Sequence, residues 1–190
     1  MTGKDRLEEV PGFLKQLILY GRGGQGVVTA AKLICTAAGV YEGVYAQAIP
    51  AFTAERRGAP VYAYVRLSDA PIDLKSFVYE PDAILVFDPE LPSLGVNLLS
   101  GVNPATMAVV NSAHPPADWD LHSHFAKVGA VDAHRLGPVP NSAMIGAFCA
   151  TTGWLSIDAA TRAIKDYFGA RGGDANAGYA KQAFAATRLA

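Results

Sequence analysis

The fold class of this 190-residue chain is decided by residues 15–38, which read KQLILYGRGGQGVVTAAKLICTAA. The first part, Lys15–Tyr20, is a short apolar run of the kind found in a buried β-strand. Gly21–Gly26 interrupt that run, and Val27–Ala38 is a stretch of small residues compatible with a helix that ends before Gly39. A strand, a glycine-rich turn and a helix in this order predict a layered α/β domain.

The same pattern continues along the chain. Five further segments predict strands: Val44–Ile49, Val61–Leu67, Ala83–Phe87, Thr106–Val110 and Ala130–His134. The C-terminal part is predicted to be helical, over residues 141–152, 156–168 and 177–188. Asn141 or Ser142 is expected to cap the first of these helices, and Ser156 the second.

No linker, repeat or low-complexity tract divides the chain. We therefore predict a single domain over residues 1–190, with its core at 15–168 and with peripheral segments at 1–14 and 171–190. The fold class is α/β, a sheet with flanking helices and a helical C-terminal part.

Composition excludes several classes of function. A net charge of −1 gives no basic field to attract nucleic acid or a membrane surface. No apolar stretch is long enough to span a bilayer, and Met1–Val10 lacks the apolar segment of a secretory signal, so we expect a cytoplasmic protein. The two cysteines, Cys35 and Cys149, are too few for a four-thiolate iron–sulfur cluster, and the four histidines lack zinc-site spacing. A partner or ligand must therefore supply any redox centre.

The turn Gly21-Arg22-Gly23-Gly24-Gln25-Gly26 fits the pattern G-x-G-x-x-G, directly after a strand and before a helix. In this context the second glycine, Gly23, is expected to let the backbone approach a phosphate. Free N–H groups and the helix dipole favour an anion there. A purely structural turn is the alternative, because glycine-rich turns also occur without a ligand.

A dinucleotide site would need an acidic residue at the end of the second strand to hold the ribose diol. Glu42 has about the right spacing but precedes that strand. The loop after the strand holds Glu55, Arg56 and Arg57. Paired arginines suit a phosphate, so these residues favour the 2′-phosphate of NADP or the 3′-phosphate of coenzyme A. A solvated loop or salt bridges to a partner remain alternatives for the two arginines.

An ordered set of segments over most of residues 17–168 resembles the gamma subunit of 2-oxoacid:ferredoxin oxidoreductases. The matching segments are YGRGGQGVVTAA at 20–31, YAQAIP at 45–50, ERRGAPV at 55–61, VRLSD at 65–69, PI at 71–72, PD at 81–82, DP at 88–89 and PNSAMIGAF at 140–148. The stretch Ala51–Ala54 departs from the family pattern, and residues 102–124 match poorly.

The resemblance implies a three-layer Rossmann-like fold and a role in a complex that oxidatively decarboxylates a 2-oxoacid to an acyl-CoA. It implies that this chain binds coenzyme A in part, through Gly21–Gly26 and Glu55–Arg57, and has no catalytic residue or metal ligand of its own. Thiamine diphosphate, Mg and iron–sulfur clusters would lie on alpha, beta and delta-type partner subunits. Ferredoxin, or a flavin/NAD subunit, would accept the electrons. A stand-alone NADP-binding domain and a purely structural assembly subunit are the alternatives.

Overall fold

The computed structural model describes residues 12–51 and 58–190. These residues form a mixed seven-stranded sheet in the order β2-β3-β1-β4-β5-β6-β7. The strands are β1 Leu14–Arg22, β2 Tyr45–Ala51, β3 Pro60–Ser68, β4 Ala83–Val86, β5 Met107–Asn111, β6 Lys127–Val131 and β7 Arg188–Leu189.

Strand pairing is parallel in the middle of the sheet and antiparallel on both sides. β1, β4, β5 and β6 run parallel to one another. β3 lies antiparallel between β1 and β2, and β7 is antiparallel to β6. The connection between β2 and β3, residues 52–59, is too short for the crossover that two adjacent parallel strands require. The two strands therefore pair as antiparallel neighbours.

One face of the sheet carries the helices, which are α1 Val27–Thr36, α2 Ala133–Leu136, α3 Asn141–Thr152, α4 Ile157–Phe168 and α5 Gly173–Ala186. A π-helical turn, Ala37–Tyr41, extends α1. The main core lies between this helical layer and residues such as Leu17 and Leu19 of β1. α3 is buried over nearly its whole length, which is why its sequence is apolar on every side.

The opposite face has a smaller core that includes Ile18, Tyr20 and Ile84. It is covered by loops and short 3₁₀ turns, among them Leu91–Leu94 and Pro116–Asp118. The predicted fold class, an α/β sheet with flanking helices and a helical C-terminal part, is confirmed.

Several predicted boundaries are wrong. β6 ends at Val131, because Asp132 caps α2 by accepting a hydrogen bond from the Arg135 N–H. The residue that caps α3 is Pro140, and Asn141 is the first helical residue. The prediction for α4 is confirmed, since the Ser156 hydroxyl accepts from the Ala159 N–H at 3.1 Å.

The C-terminal segment, expected to be peripheral, contributes to the core. α5 begins at Gly173, and its Ala177, Ala180 and Ala183 are buried in the main core, where these small side chains let α5 pack closely. No helix among residues 12–51 and 58–190 has the length and apolar character needed to cross a membrane.

Candidate functional site

The glycine-rich turn lies at the carboxyl end of β1, where the chain enters α1. Two of its glycines have positive φ angles, 98° at Gly24 and 75° at Gly26, which other residues rarely adopt. Gly26 is the N-cap residue of α1 and has no side chain to cap the helix. The sequence therefore needs glycine at both positions to turn sharply from strand to helix.

Hydrogen bonds within the turn fix its shape. The Gln25 side-chain Oε1 accepts from the Arg22 N–H at 2.8 Å, and the Gln25 N–H donates to the Arg22 carbonyl at 3.1 Å. The Gly23 N–H donates to the Ala59 carbonyl at 3.1 Å. The Gly23 N–H is thus already used by Ala59, the residue that precedes β3. Gln25 stabilises the turn.

The other glycines of the turn differ in what surrounds them. A Cβ on Gly21 would lie 2.4 Å from Val27 Cγ2 and 3.0 Å from Phe87 Cβ, so this residue is needed for packing. Gly24 is exposed, and a Cβ there would meet no atom of the described residues within 4 Å. Gly24 is thus the position at which a ligand can approach the backbone closely.

Arg22 is paired with carboxylates. Its Nε lies 2.6 Å from Asp88 Oδ2, and its Nη2 lies 3.5 Å from Glu90 Oε2. The Nε–H does not point at the Asp88 oxygen, so the contact is an ion pair and not an aligned hydrogen bond. Asp88 follows β4, whose carboxyl end adjoins that of β1. The two acidic residues offset the charge of Arg22, which lies in the segment expected to bind coenzyme A.

Two helices begin side by side at this edge of the sheet. The Asn141 carboxamide at the start of α3 adjoins Gly26 at the start of α1, and a Cβ on Gly26 would lie 2.8 Å from Asn141 Nδ2. Neither helix has an acidic residue in its first turn, whereas α4 and α5 carry Asp158 and Asp174 there. The positive ends of two helix dipoles therefore meet without a carboxylate in either first turn.

Several backbone N–H groups in the turn and at the start of α1 are unpaired among the described residues. Within the described part of the chain, no hydrogen-bond acceptor is found for the N–H groups of Gly24, Gly26, Val27, Val28 and Thr29. Unpaired donors at a helix N-terminus are the usual arrangement for binding a phosphate or carboxylate. The turn is therefore suited to an anion.

The remaining predicted site residues, Glu55, Arg56 and Arg57, lie outside the described residues. Ala51 and Gly58–Ala59 flank their segment, and the Ala59 carbonyl contacts the turn through the Gly23 N–H. Ala59 thus lies beside the turn.

A dinucleotide site is not supported by the position of Glu42. This residue follows the π-helical turn at the far end of α1, roughly 20 Å from the glycines at 1.5 Å per residue. Its Oε1 accepts from the Ser156 N–H at 2.8 Å, just before α4. The strand beside β1 is also the antiparallel β3, so β2 does not end where a dinucleotide ribose would lie.

The thiols and histidines form no reactive cluster in the described ranges. Burial raises the pKa of Cys35 and of Cys149 to about 12, so neither is a thiolate at neutral pH. Among residues 12–51 and 58–190, no group of three or more His, Cys, Asp or Glu side chains is placed to hold a metal ion.

Known proteins resemble this chain over nearly its whole length. The family model for pyruvate ferredoxin/flavodoxin oxidoreductase matches residues 16–186. The common gamma subunit of pyruvate/ketoisovalerate oxidoreductases from Thermococcus litoralis is 39% identical over 180 residues, which cover 90% of this chain and 96% of the relative.

Two solved structures share the fold. The pyruvate oxidoreductase subunit PORC of Thermotoga maritima superposes with a TM-score of 0.79 at 26% identity, covering 93% of this chain and 98% of that one. The 2-oxoglutarate:ferredoxin oxidoreductase of Magnetococcus marinus, solved with 2-oxoglutarate, coenzyme A and succinyl-CoA, superposes with a TM-score of 0.64 at 16% identity. That match covers 90% of this chain and 30% of the other.

Proposed function

Because the chain belongs to the pyruvate ferredoxin/flavodoxin oxidoreductase family, as a gamma-type subunit, we propose that it binds coenzyme A in part for a complex that oxidatively decarboxylates a 2-oxoacid to an acyl-CoA. Pyruvate and ketoisovalerate, which give the relatives their names, are the 2-oxoacids favoured. The chain would position coenzyme A and take no chemical step itself.

The observation that carries this proposal is the open edge of the turn. Gly24 leaves space for a ligand, and the N–H groups of residues 26–29 have no acceptor among the described residues, so they are available to an anion. Coenzyme A carries several phosphates, so its chemistry fits these donors. When bound, it supplies the thiol that receives the acyl group. Holding it in place would remove much of the entropic cost of bringing that thiol to an intermediate on a partner subunit.

Glu55, Arg56 and Arg57 complete the proposed site. Ala59, two residues after Arg57 in sequence, is held against the turn by its hydrogen bond from the Gly23 N–H, which supports this assignment. We assign the arginines to the 3′-phosphate of coenzyme A, since guanidinium groups bind phosphate with two parallel hydrogen bonds. Arg22 would take a supporting role, because Asp88 and Glu90 already pair with it.

The cofactors that carry the redox chemistry are proposed to lie on partner subunits. Thiamine diphosphate, Mg and iron–sulfur clusters would reside on alpha, beta and delta-type chains, and ferredoxin or a flavin/NAD subunit would accept the electrons. An apolar surface favours such an assembly. Leu74, Phe77 and Tyr79 are 46%, 46% and 71% exposed, and Tyr45 on the neighbouring strand β2 is 50% exposed.

The coenzyme A role is tested by Gly24→Ala in the assembled complex, with Gly43→Ala as a matched control. Both glycines have positive φ, 98° and 71°, and neither has an atom of the described residues within 4 Å of a Cβ. Both substitutions therefore strain the backbone, by about 1 kcal/mol or more. Only Gly24→Ala should weaken the binding of coenzyme A, by about tenfold, because only at Gly24 would the new methyl group occupy the space proposed for the ligand.

The measurements are equilibrium dialysis of coenzyme A and its apparent KM in steady-state turnover. Dephospho-CoA should bind the wild-type complex about 10- to 150-fold more weakly, the effect of losing a charge-assisted hydrogen bond. Equal effects of the two glycine substitutions would instead assign the turn a purely structural role. Equal affinity for the two thiols would remove Arg56 and Arg57 from the site.

A further inference from the structure

A cavity of about 380 Å³ opens on the face of the sheet opposite the helices, between β1, β3 and the segment at residues 77–79. Its volume lies within the range of about 300–1,000 Å³ that is usual for binding sites. None of the residues of the glycine-rich turn, 21–26, lines it. We call it the tyrosine cavity, after the four tyrosines in its wall: Tyr20, Tyr62, Tyr64 and Tyr79.

Contacts between aromatic rings hold the wall of the tyrosine cavity together. Tyr20 is 4% exposed, and its ring meets that of Tyr62 edge to face, with 5.6 Å between the ring centres. The Tyr64 ring stacks on that of Phe77 at 4.9 Å, which joins β3 to the other side of the cavity. Aromatic side chains have only two rotatable bonds, so little conformational entropy is lost when a ligand binds such a wall.

The tyrosine hydroxyl groups are available to a ligand. None of the four forms a hydrogen bond within the described part of the chain. Burial raises the pKa of Tyr20, and the nearness of Tyr64 and Tyr62 raises it further. Burial also raises the pKa of Tyr64, to which Tyr62 and Tyr79 add. The hydroxyl groups are therefore close to one another and protonated at neutral pH, and their oxygens can accept hydrogen bonds.

The charges around the tyrosine cavity favour a cation. The described residues that line it include no charged side chain. The segments on its rim, residues 73–82 and 91–100, carry three acidic residues and one lysine, a net charge of −2: Asp73, Glu80, Asp82 and Lys75. Lys15, whose Nζ lies 4.0 Å from Asp82 Oδ1, offsets part of this charge. The faces of aromatic rings attract cations as well, because their π electrons carry partial negative charge.

We propose that the tyrosine cavity receives an arginine side chain of a partner subunit. A planar guanidinium group can lie against an aromatic ring, and its five N–H donors can serve several hydroxyl oxygens at once. The compact ammonium group of lysine matches such a wall less well. Phe77 and Tyr79 of the cavity also belong to the same exposed apolar surface as Leu74, and aromatic residues and arginine are enriched in protein interfaces. The inference rests on the proposed assembly and adds the chemistry of the partner.

The test is a series of charges at Ser100, an exposed residue of the cavity wall. Ser100→Glu places a carboxylate beside the proposed arginine, Ser100→Gln is the neutral variant of the same shape, and Ser100→Lys places a like charge there. Analytical ultracentrifugation of the chain with its partner subunits gives the dissociation constant of the complex. At low salt this constant should increase in the order Glu, Gln, Lys, by at least about tenfold over the series. Salt should reduce the differences, because it screens the charges.

Tyr79→Ala, with Leu74→Ala as its control, separates the tyrosine cavity from a general apolar contact. The two side chains are 71% and 46% exposed on the same segment, but only Tyr79 lines the cavity. Tyr79→Ala should weaken the complex and also reduce the effect of charge at Ser100, because the arginine loses one of the rings that hold it. In the Leu74→Ala background, the effect of charge at Ser100 should stay as large as without that substitution.

The outcomes distinguish this inference from the proposed assembly. Equal dissociation constants for the three Ser100 variants would overturn the arginine assignment and leave the assembly in place. Equal weakening by glutamate and by lysine, relative to glutamine, would also overturn it, because a neutral group would then fill the cavity. A wild-type chain that stays monomeric at micromolar concentration with its partner subunits would refute the proposed assembly itself.

Discussion

Arg66 is a buried arginine without a carboxylate partner in the described part of the chain. The residue is 2% exposed, and burial lowers the pKa of its guanidinium group. Its donors meet neutral oxygens: Gln16 Oε1 at 3.0 Å, Gln47 Oε1 at 2.9 Å, the Ser76 carbonyl at 2.9 Å and the Phe77 carbonyl at 3.1 Å. Gln47 Nε2 also donates to the Leu74 carbonyl at 2.7 Å. Through these hydrogen bonds, Arg66 holds residues 74–79, called the strap below, against strands β1–β3.

Replacing Arg66 by Met would keep most of the apolar stem and remove every donor. The two glutamine oxygens belong to half-buried side chains that can turn toward water. The Ser76 and Phe77 carbonyls are left without their partner, at about 1–3 kcal/mol each. The variant no longer has to bury a charged guanidinium group, and this gain offsets part of the loss. We expect the free energy of unfolding to fall by about 2–4 kcal/mol, and Arg66→Lys to lose about half as much.

Denaturant unfolding followed by tryptophan fluorescence measures the global change, and hydrogen exchange of residues 74–79 measures the strap. Arg66→Met should lower both the unfolding midpoint and the protection of the strap, whereas the exposed Arg135→Met should stay within about 0.5 kcal/mol of wild type. Wild-type stability and strap protection in Arg66→Met would refute the assignment of the strap to this arginine.

Two further predictions concern assembly and thiol ionisation. Expressed with its neighbouring subunits, the chain should elute with them, and a stable monomer at micromolar concentration would contradict the proposed assembly. The pKa of a cysteine in an unfolded chain is about 8.5. Burial in the fold raises the pKa of Cys35 and of Cys149 to about 12. At a pH between these two pKa values, unfolding releases a proton from each thiol. The free energy of unfolding should therefore fall as the pH rises, by up to about 1.4 kcal/mol per pH unit for each thiol. A Cys35→Ala/Cys149→Ala variant should show a flatter profile between about pH 8.5 and 10; an unchanged profile contradicts the assignment.

Local sequence patterns predicted most of the secondary structure. The apolar run Lys15–Tyr20 lies within β1, the alternation at Val61–Leu67 lies within β3, and Ser156 caps α4 as its position suggested. These features depend on residues close in sequence, where backbone geometry and side-chain spacing leave few alternatives.

Strand order was harder to predict, because it depends on contacts between distant residues. The early strands suggested a regular alternation with helices, yet β3 lies antiparallel between β1 and β2. The short connection at residues 52–59 was the signal that could have revealed this arrangement. The partners of Arg22 were equally inaccessible, since Asp88 and Glu90 reach it only once β4 has paired with β1.

The candidate site draws its attraction for anions from the backbone more than from charged side chains. Arg22 is paired with Asp88, while the starts of α1 and α3 carry no acidic residue and expose amide donors. The glycines could be recognised from the sequence, because their pattern is local. The place of Asn141 beside Gly26 could not, because the two residues are distant in sequence, and only a helix cap was predicted for Asn141. Donors of this kind are held by the core: Gly21 packs on Val27 and Phe87, and α3 is buried from its first residue. Such rigidity suits a subunit whose role is to position a ligand for chemistry elsewhere, since fixed dipoles need no rearrangement when the ligand arrives.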